Sequence, residues 1–335
     1  MNWNDQVVLV TGGTGSFGRK FVDIVLRDFQ PRKLIVFSRD ELKQHEMRAA
    51  GFDQDNVRYF IGDIRDRERL LRAMHGVNVV VHAAALKQVP ACEYNPMEAV
   101  KTNIFGTSNV VEAALDAGVQ KVLGLSTDKA VNPVNLYGAT KLAAEKLTVQ
   151  SNNYAAGTST RYSCVRYGNV VGSRGSVVPA FLKQRGSGRL TITDERMTRF
   201  WLSLEEGVRF VIECIEAMHG GEVFVPKIAS MKVVDLANAM APEAQLDFVG
   251  IRPGEKLHEV LISEDEARNT VETPRMYIVK PPQTLWERAL SYEGTRPADG
   301  FRYSSDTNTR WLDRSEIRRL VEPFQRLYQA GKLEV

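Results

Sequence analysis

The sequence predicts an α/β protein: a doubly wound parallel sheet with helices on both faces, followed by a smaller second domain. Three observations carry this. Short β-branched runs alternate with longer amphipathic segments through the first half, a glycine-rich stretch directly follows the first run, and the alternation weakens after about Val170. The expected strands are Val7–Thr11, Leu34–Ser38, Val57–Ile61, Val79–Ala83, Val122–Ser126 and Tyr162–Tyr167, each apolar enough for burial on both faces. The expected helices are Phe17–Arg27, Glu41–Ala50, Glu68–Met74, Met97–Ala117 and Tyr137–Tyr154, which supply right-handed crossovers between parallel strands. Past Val170, glycines and prolines at Gly172, Gly175, Pro179, Gly186, Gly188, Pro226, Pro242 and Pro253 mark a smaller, substrate-facing domain. Some of its pieces, such as a helix at Glu205–Met218, are expected to pack back on the first domain. The boundaries are placed at 1–170 for a dinucleotide-binding domain, 171–280 for a mainly substrate-binding domain and 281–335 for a C-terminal extension, irregular until a helix at Arg314–Tyr328.

A chain of 335 residues can bury a large core and a second, smaller one. With 43% hydrophobic and 25% charged residues, disordered and collagen-like classes drop out. The 44 basic and 41 acidic residues nearly balance at a formal charge of +3, which argues against a nucleic-acid partner. Three cysteines, Cys92, Cys164 and Cys214, are too few and too widely spaced for a disulfide framework or a zinc site, so a reducing compartment and no metal are expected. The N-terminus carries no basic region followed by an apolar stretch, and no apolar run approaches the roughly 20 residues that span a bilayer. A cytoplasmic protein without a membrane partner is expected.

The stretch Thr11-Gly12-Gly13-Thr14-Gly15-Ser16-Phe17-Gly18 ends the first strand and opens the first helix. Glycines let the backbone approach a pyrophosphate, and the helix N-terminus presents unpaired N–H groups and positive dipole charge. Gly13, Gly15 and Gly18 fit the spacing Gly-x-Gly-x-x-Gly, and Gly12, Gly15 and Gly18 the wider variant. The flanking strand and helix favour a Rossmann-type dinucleotide site over a glycine-rich surface turn, with Gly12, Thr14, Gly15, Ser16, Phe17 and Gly18 as contacts. The second strand ends Ser38-Arg39-Asp40, with Lys43 close behind. A guanidinium there pairs with a 2′-phosphate, aided by Ser38 and Lys43, which favours NADP; Asp40 keeps NAD open, since a carboxylate serves an unphosphorylated ribose. Asp63 and Ile64, after the third strand, would flank the adenine, and Asp63 equally suits a helix cap.

Tyr137 and Lys141 fall four apart on one face of an expected helix. A cation beside a phenol favours the phenolate, a base able to take a hydroxyl proton. The preceding strand ends Ser126-Thr127-Asp128-Lys129, at the edge where open α/β sheets bind ligands. Together with Thr102-Asn103 and the glycine loop, these segments resemble the extended short-chain dehydrogenase/reductase superfamily. Within it, the resemblance is to the inverting UDP-N-acetylglucosamine 4,6-dehydratases of the pseudaminic acid pathway. Its specific segments are 37–43, 82–87, 125–130, 135–141, 166–179 and 251–258.

The resemblance implies a catalytic set of Thr127, Asp128, Lys129, Tyr137 and Lys141. Tyr137 would take the C4 hydroxyl proton, Lys129 the C5 proton, and Asp128 would protonate the departing C6 hydroxyl, while Thr127 bonds the C4 oxygen. A lysine stands where retaining dehydratases are expected to carry glutamate. The implied product is UDP-2-acetamido-2,6-dideoxy-β-L-arabino-hex-4-ulose. Ala83, Lys87, Thr102, Asn103 and Val170 are implied cofactor contacts, together with Tyr137 and Lys141. Lys87, Asn169, Val177, Val178, Thr193, Arg199, Arg252 and Glu255 are implied substrate contacts, the two arginines on the diphosphate. A homo-oligomer is also implied. The alternatives are a retaining dehydratase, a nucleotide-sugar 4-epimerase, which would need Tyr137 and Lys141 but not the Asp128-Lys129 pair, and a non-catalytic NADP-binding sensor, which would need none of the four.

Overall fold

The computed structural model describes residues 1–172, 176–281 and 292–331; Gly175 and part of the C-terminal extension noted above lie outside the described residues. The six expected runs form parallel strands: β1 (Val7–Thr11), β2 (Lys33–Ser38), β3 (Val57–Ile61), β4 (Val79–His82), β5 (Lys121–Thr127) and β6 (Arg161–Tyr167). They lie in the order β3-β2-β1-β4-β5-β6, so the direction of winding reverses between β1 and β4 and a crevice opens at their carboxyl ends. Alternation along β1 sends Val8 and Val10 to one face, against Phe21 and Val22, and Val7 and Leu9 to the other, against Leu70, Val110 and Ala114. One expectation fails at the edge. β3 is not buried on both faces, because it has a neighbour on one side only, and Ile61 is half exposed.

The helices of this half are α1 (Ser16–Ile24), α2 (Glu41–Met47), α3 (Arg67–Ala73), α4 (Val89–Tyr94), α5 (Pro96–Val100), α6 (Gly106–Asp116) and α7 (Leu136–Gln150). The helix expected over Met97–Ala117 is α5 and α6 joined by a π-helical turn at Lys101–Phe105, a widening that recurs at functional sites. It carries Thr102 and Asn103. Asn135 starts α7 by accepting from the Gly138 N–H at 2.7 Å.

The second half contributes β7 (Asn169–Val170), β8 (Arg189–Ile192), β9 (Thr198–Leu202), β10 (Val223–Pro226), β11 (Ala229–Lys232), β12 (Gln245–Phe248), β13 (Val260–Ile262), β14 (Thr270–Glu272), β15 (Met276–Val279) and β16 (Tyr303–Ser304). Its helices are α8 (Val177–Gln184), α9 (Leu204–Ala217), α10 (Val233–Met240), α11 (Glu264–Ala267) and α12 (Arg314–Gln329). β10 adds to β6 in parallel and β15 and β14 follow antiparallel, which makes a nine-stranded sheet. α9 buries Val208, Val211 and Ile215 in the same cluster as Val10 and Val22, so the expected packing back is present. A separate core gathers Val178, Phe181, Leu190, Trp201, Leu236 and Met240 with Ile317 and Val321 of α12. Each such apolar side chain contributes roughly 1.5–3 kcal/mol by leaving water.

A buried ion network joins the two halves. Arg166, 1% exposed, places Nη2 2.5 Å from Glu145 on α7 and 2.8 Å from Glu266 on α11, and donates to the Leu261 carbonyl at 2.8 Å. Glu145 also accepts from Ser126 Oγ at 2.6 Å, so β5, β6, α7 and α11 meet at one guanidinium. Among the described residues, no helix is long and apolar enough to cross a membrane.

Candidate active site

A cavity of about 1030 Å³ runs along the carboxyl ends of the parallel strands and is walled on its far side by the second half of the chain. At one end lies the glycine loop. Gly12 has φ +65°, and a Cβ there would come within 2.9 Å of Ala84, so the loop folds flat against the end of β4 only with glycine. Thr14, Gly15, Ser16, Phe17 and Gly18 line the cavity, and no side chain caps the N-terminus of α1, whose N–H groups are left for an anion. This cradle fits a dinucleotide pyrophosphate.

Ser38, Arg39, Asp40, Lys43, Asp63 and Ile64 line the next part. Asp40 caps α2, accepting from the Lys43 N–H at 3.0 Å, and its second oxygen lies 2.5 Å from Lys43 Nζ. Arg39 is 57% exposed, 3.6 Å from Asp63. The helix-cap alternative for Asp63 does not hold, because Asp66 caps α3 while Asp63 binds Arg65. Burial works to raise the Asp63 carboxyl, but Arg65 and Arg39 hold it below the usual range. Ala83, Lys87, Thr102 and Val170 line the cavity; Asn103 does not. Asn103 is buried, with its amide closed on the Leu86 backbone at 2.8 and 2.9 Å and on Thr140 at 3.0 Å, so it shapes the loop after β4 from behind.

The reacting end is built where β5 runs into a short turn over Asp128–Ala130. Thr127 donates to Asp128 Oδ1 at 2.8 Å, and Lys129 Nζ approaches the same oxygen at 3.0 Å. Asp128 is fully buried. Burial pushes its carboxyl up, Lys129 opposes this and Glu259 reinforces it. Burial alone would lower Lys129, but the charges of Asp128 and Glu259 outweigh it and hold the ammonium above its ordinary value. Gly138 brings α7 onto this turn: a Cβ at that position would lie 2.2 Å from the Lys129 carbonyl oxygen.

Tyr137, Thr127, Lys129 and Lys141 all line the cavity. The expected effect of Lys141 on the phenol is not what the structure has. Lys141 Nζ turns to the Leu125 carbonyl at 2.7 Å, because the buried ammonium takes the free acceptor at the strand end. Burial raises Tyr137 to about 12, and the cation that opposes this is Lys129.

On the far wall, Asn169, Val177, Thr193, Arg199, Arg252 and Glu255 line the cavity, and the Asn169 Oδ1 is buried without a hydrogen-bond partner among the described residues. Val178 is a correction: the turn of α8 that points Val177 at the cavity points Val178 into the second core, fully buried. Arg199 is committed to the backbone, donating to the Thr198, Leu257 and Lys256 carbonyls at 2.7, 3.1 and 3.0 Å.

A family model described as polysaccharide biosynthesis protein matches residues 8–281. The chain belongs to that family. A relative in Campylobacter jejuni named inverting UDP-N-acetylglucosamine 4,6-dehydratase is 53% identical, covering 94% of this chain and 97% of the relative. A Rickettsia rickettsii relative named UDP-glucose 4-epimerase is 38% identical over 95% of each chain. The crystal structure of Pen from Bacillus thuringiensis, 39% identical, superposes with a TM-score of 0.88 over 97% of this chain and 99% of that one.

In this member of the polysaccharide biosynthesis family, the cavity also takes in polar residues that the sequence did not single out, among them Tyr167, Lys256 and Glu259. Tyr167 ends β6 beside Tyr137, Lys256 donates to the Val131 carbonyl at 2.6 Å, and Glu259 sits 3.6 Å from Lys129. Lys256 lay within a segment already singled out, but no periodicity ties Glu259 to a turn so far upstream.

Proposed function

We propose that the chain is a UDP-N-acetylglucosamine 4,6-dehydratase that inverts C5, working with NADP. The observation that carries this is Lys129, which lines the cavity with Tyr137 and Thr127 and holds the fully buried Asp128 directly behind it at 3.0 Å. A 4-epimerase has no use for an acid and an amine beyond the oxidising tyrosine. The extent of identity with the Campylobacter relative supports the same reading.

When bound, the nicotinamide cofactor would supply a hydride acceptor at C4 and a hydride donor at C6, with a solvent-derived proton completing C5 on the face opposite the original C–H bond. Residues 1–170 supply most of its site and residues 171–280 most of the sugar nucleotide's. NADP is favoured because Asp40 is engaged by the α2 N-terminus and Lys43, while the Arg39 guanidinium stands exposed at the rim. Tyr137 takes the C4 hydroxyl proton with Thr127 bonding the oxygen. The C4 ketone acidifies C5–H, whose proton Lys129 removes. Asp128, whose burial favours its acid form, gives its proton to the departing C6 hydroxyl. Lys141, anchored on β5, belongs to the cofactor side, with Arg252 and Glu255 on the substrate nucleotide.

Incubation of the purified protein with UDP-N-acetylglucosamine tests this. A 4-keto-6-deoxy product is expected; conversion to UDP-N-acetylgalactosamine alone would replace the reading with a 4-epimerase.

A further inference from the structure

Asp128 and Lys129 are not an isolated pair. Glu259, the residue before β13, has a side chain only 3% exposed, with Oε1 3.6 Å from Lys129 Nζ and 3.9 Å from Arg199 Nε, and Oε2 3.7 Å from Lys256 Nζ. Its backbone is fixed by Ser305 Oγ, which accepts from the Glu259 N–H at 2.9 Å. Glu259 Oε2 and Asp128 Oδ2 are both buried without a hydrogen-bond partner among the described residues. Glu259 still reaches the cavity wall, as do Lys87, Tyr137, Arg199 and Lys256 around it. Two buried carboxyl groups, each with one oxygen outside hydrogen-bond distance of any donor among the described residues, therefore flank one ammonium, and two further cations lie behind the second carboxyl. A carboxylate this deeply buried is retained only where charge partners surround it.

We propose that Glu259 is a positioning residue of the elimination step, a permanent carboxylate that holds Lys129 against Asp128 so that the two exchange one proton. This rests on the dehydratase reading. At rest Lys129 is the ammonium; the competent form arises when one proton passes from Nζ to Asp128 Oδ1, leaving Lys129 a neutral amine and Asp128 a carboxylic acid. The C5 proton passes to Nζ, the C5–H electron pair becomes the C5–C6 double bond, and the C6–O pair leaves with oxygen, which takes the Asp128 proton and departs as water. The pair is then ammonium and carboxylate, with net charge unchanged. Transfer from Nζ to Oδ1, 3.0 Å away, restores the competent form. Glu259 balances the transient ammonium throughout, and Arg199 and Lys256 keep Glu259 ionised: burial would raise its carboxyl, but Lys129, Arg199 and Lys256 hold it low.

The sign of each charge makes this testable. Glu259 favours the protonated form of both Asp128 and Lys129, so Glu259→Gln should move both limbs of the kcat–pH profile to lower pH, by about one to three units. Lys256→Met removes a cation and should move them to higher pH. Glu259→Asp keeps the charge and should return the limbs to the wild-type position, even if kcat stays reduced. Profiles are measured with UDP-N-acetylglucosamine on the cofactor-loaded enzyme, and KM for all three variants should stay within about threefold. Limbs that stay in place in Glu259→Gln and Lys256→Met while kcat falls would make the cluster merely structural and overturn the proposal. Should Glu259→Gln fail to fold, the opposite shift in Lys256→Met and the unshifted Glu259→Asp decide alone. A wild-type enzyme that never dehydrates this substrate would instead overturn the reading beneath it.

Discussion

Asp40 is the side chain on which the proposed preference for NADP over NAD turns. In sequence it competes with Arg39 for the ribose. In the folded chain its two oxygens are occupied, one by the Lys43 N–H and one by the Lys43 ammonium, and Arg39 is the group left at the rim. Arg39→Ala should therefore weaken NADP about 10- to 100-fold, the value of a charge-assisted contact, and leave NAD nearly unchanged. Titration of both cofactors into the stripped protein checks this, and equal losses would remove Arg39 from the 2′-phosphate. Lys129 carries the second prediction at this scale. Lys129→Ala should bind substrate and cofactor within a few-fold of wild type, yet lose at least about 100-fold in water release, because Lys129 is the amine in contact with the Asp128 carboxyl. Near-normal turnover in that variant would return Asp128 and Lys129 to an ordinary turn pair.

Among the elements, α7 and the turn at Asp128–Ala130 form the working unit, and Gly138 is the contact between them. Gly138→Ala sets a methyl 2.2 Å from the Lys129 carbonyl, so helix or turn must move. A loss of about 1–3 kcal/mol in stability is expected, with a larger fall in kcat than in cofactor affinity; urea melts and kinetics together measure both. The ion network behind this unit predicts an acid sensitivity. Burial would raise Glu266, but Arg166 holds it at about 2 against an ordinary 4.5. A depressed carboxyl stabilises the fold fully above its unfolded value and loses that contribution as pH falls from 4.5 toward 2, here on the order of 3 kcal/mol. Stability of Glu266→Gln measured by urea melts should be flatter across that window than wild type, and identical slopes would contradict the network's role. These elements also mark what the sequence made legible. β1 to β6 announce themselves through β-branched runs and the glycine loop through its spacing. β10, β14 and β15 do not, because strands of three or four residues holding Pro226 or charged neighbours carry no clear alternation. The reacting turn was legible from Ser126 to Lys129, whereas the orientation of Lys141, the burial of Val178 and the arrival of Glu259 depend on packing between distant segments.

Over the whole molecule, the cavity exists because the second half closes on the carboxyl edge of the sheet. The glycine loop and the strand ends after β2 and β4 line one part of it, Asn169, Thr193, Arg199 and residues 252–256 another, and Thr127, Lys129 and Tyr137 line it as well. Tyr137 and Lys129 line one chamber with Asp128 buried behind Lys129, so the proposed oxidation, elimination and reduction would proceed without release of the intermediate. The central claim is that Lys129 makes this elimination an inverting one, and one measurement tests it most directly. Early-time NMR of UDP-N-acetylglucosamine turned over in deuterated water should find a first product of L-arabino configuration, with solvent deuterium at C5 and the C4 hydrogen of the substrate at C6. A first product of D-xylo configuration would contradict the account.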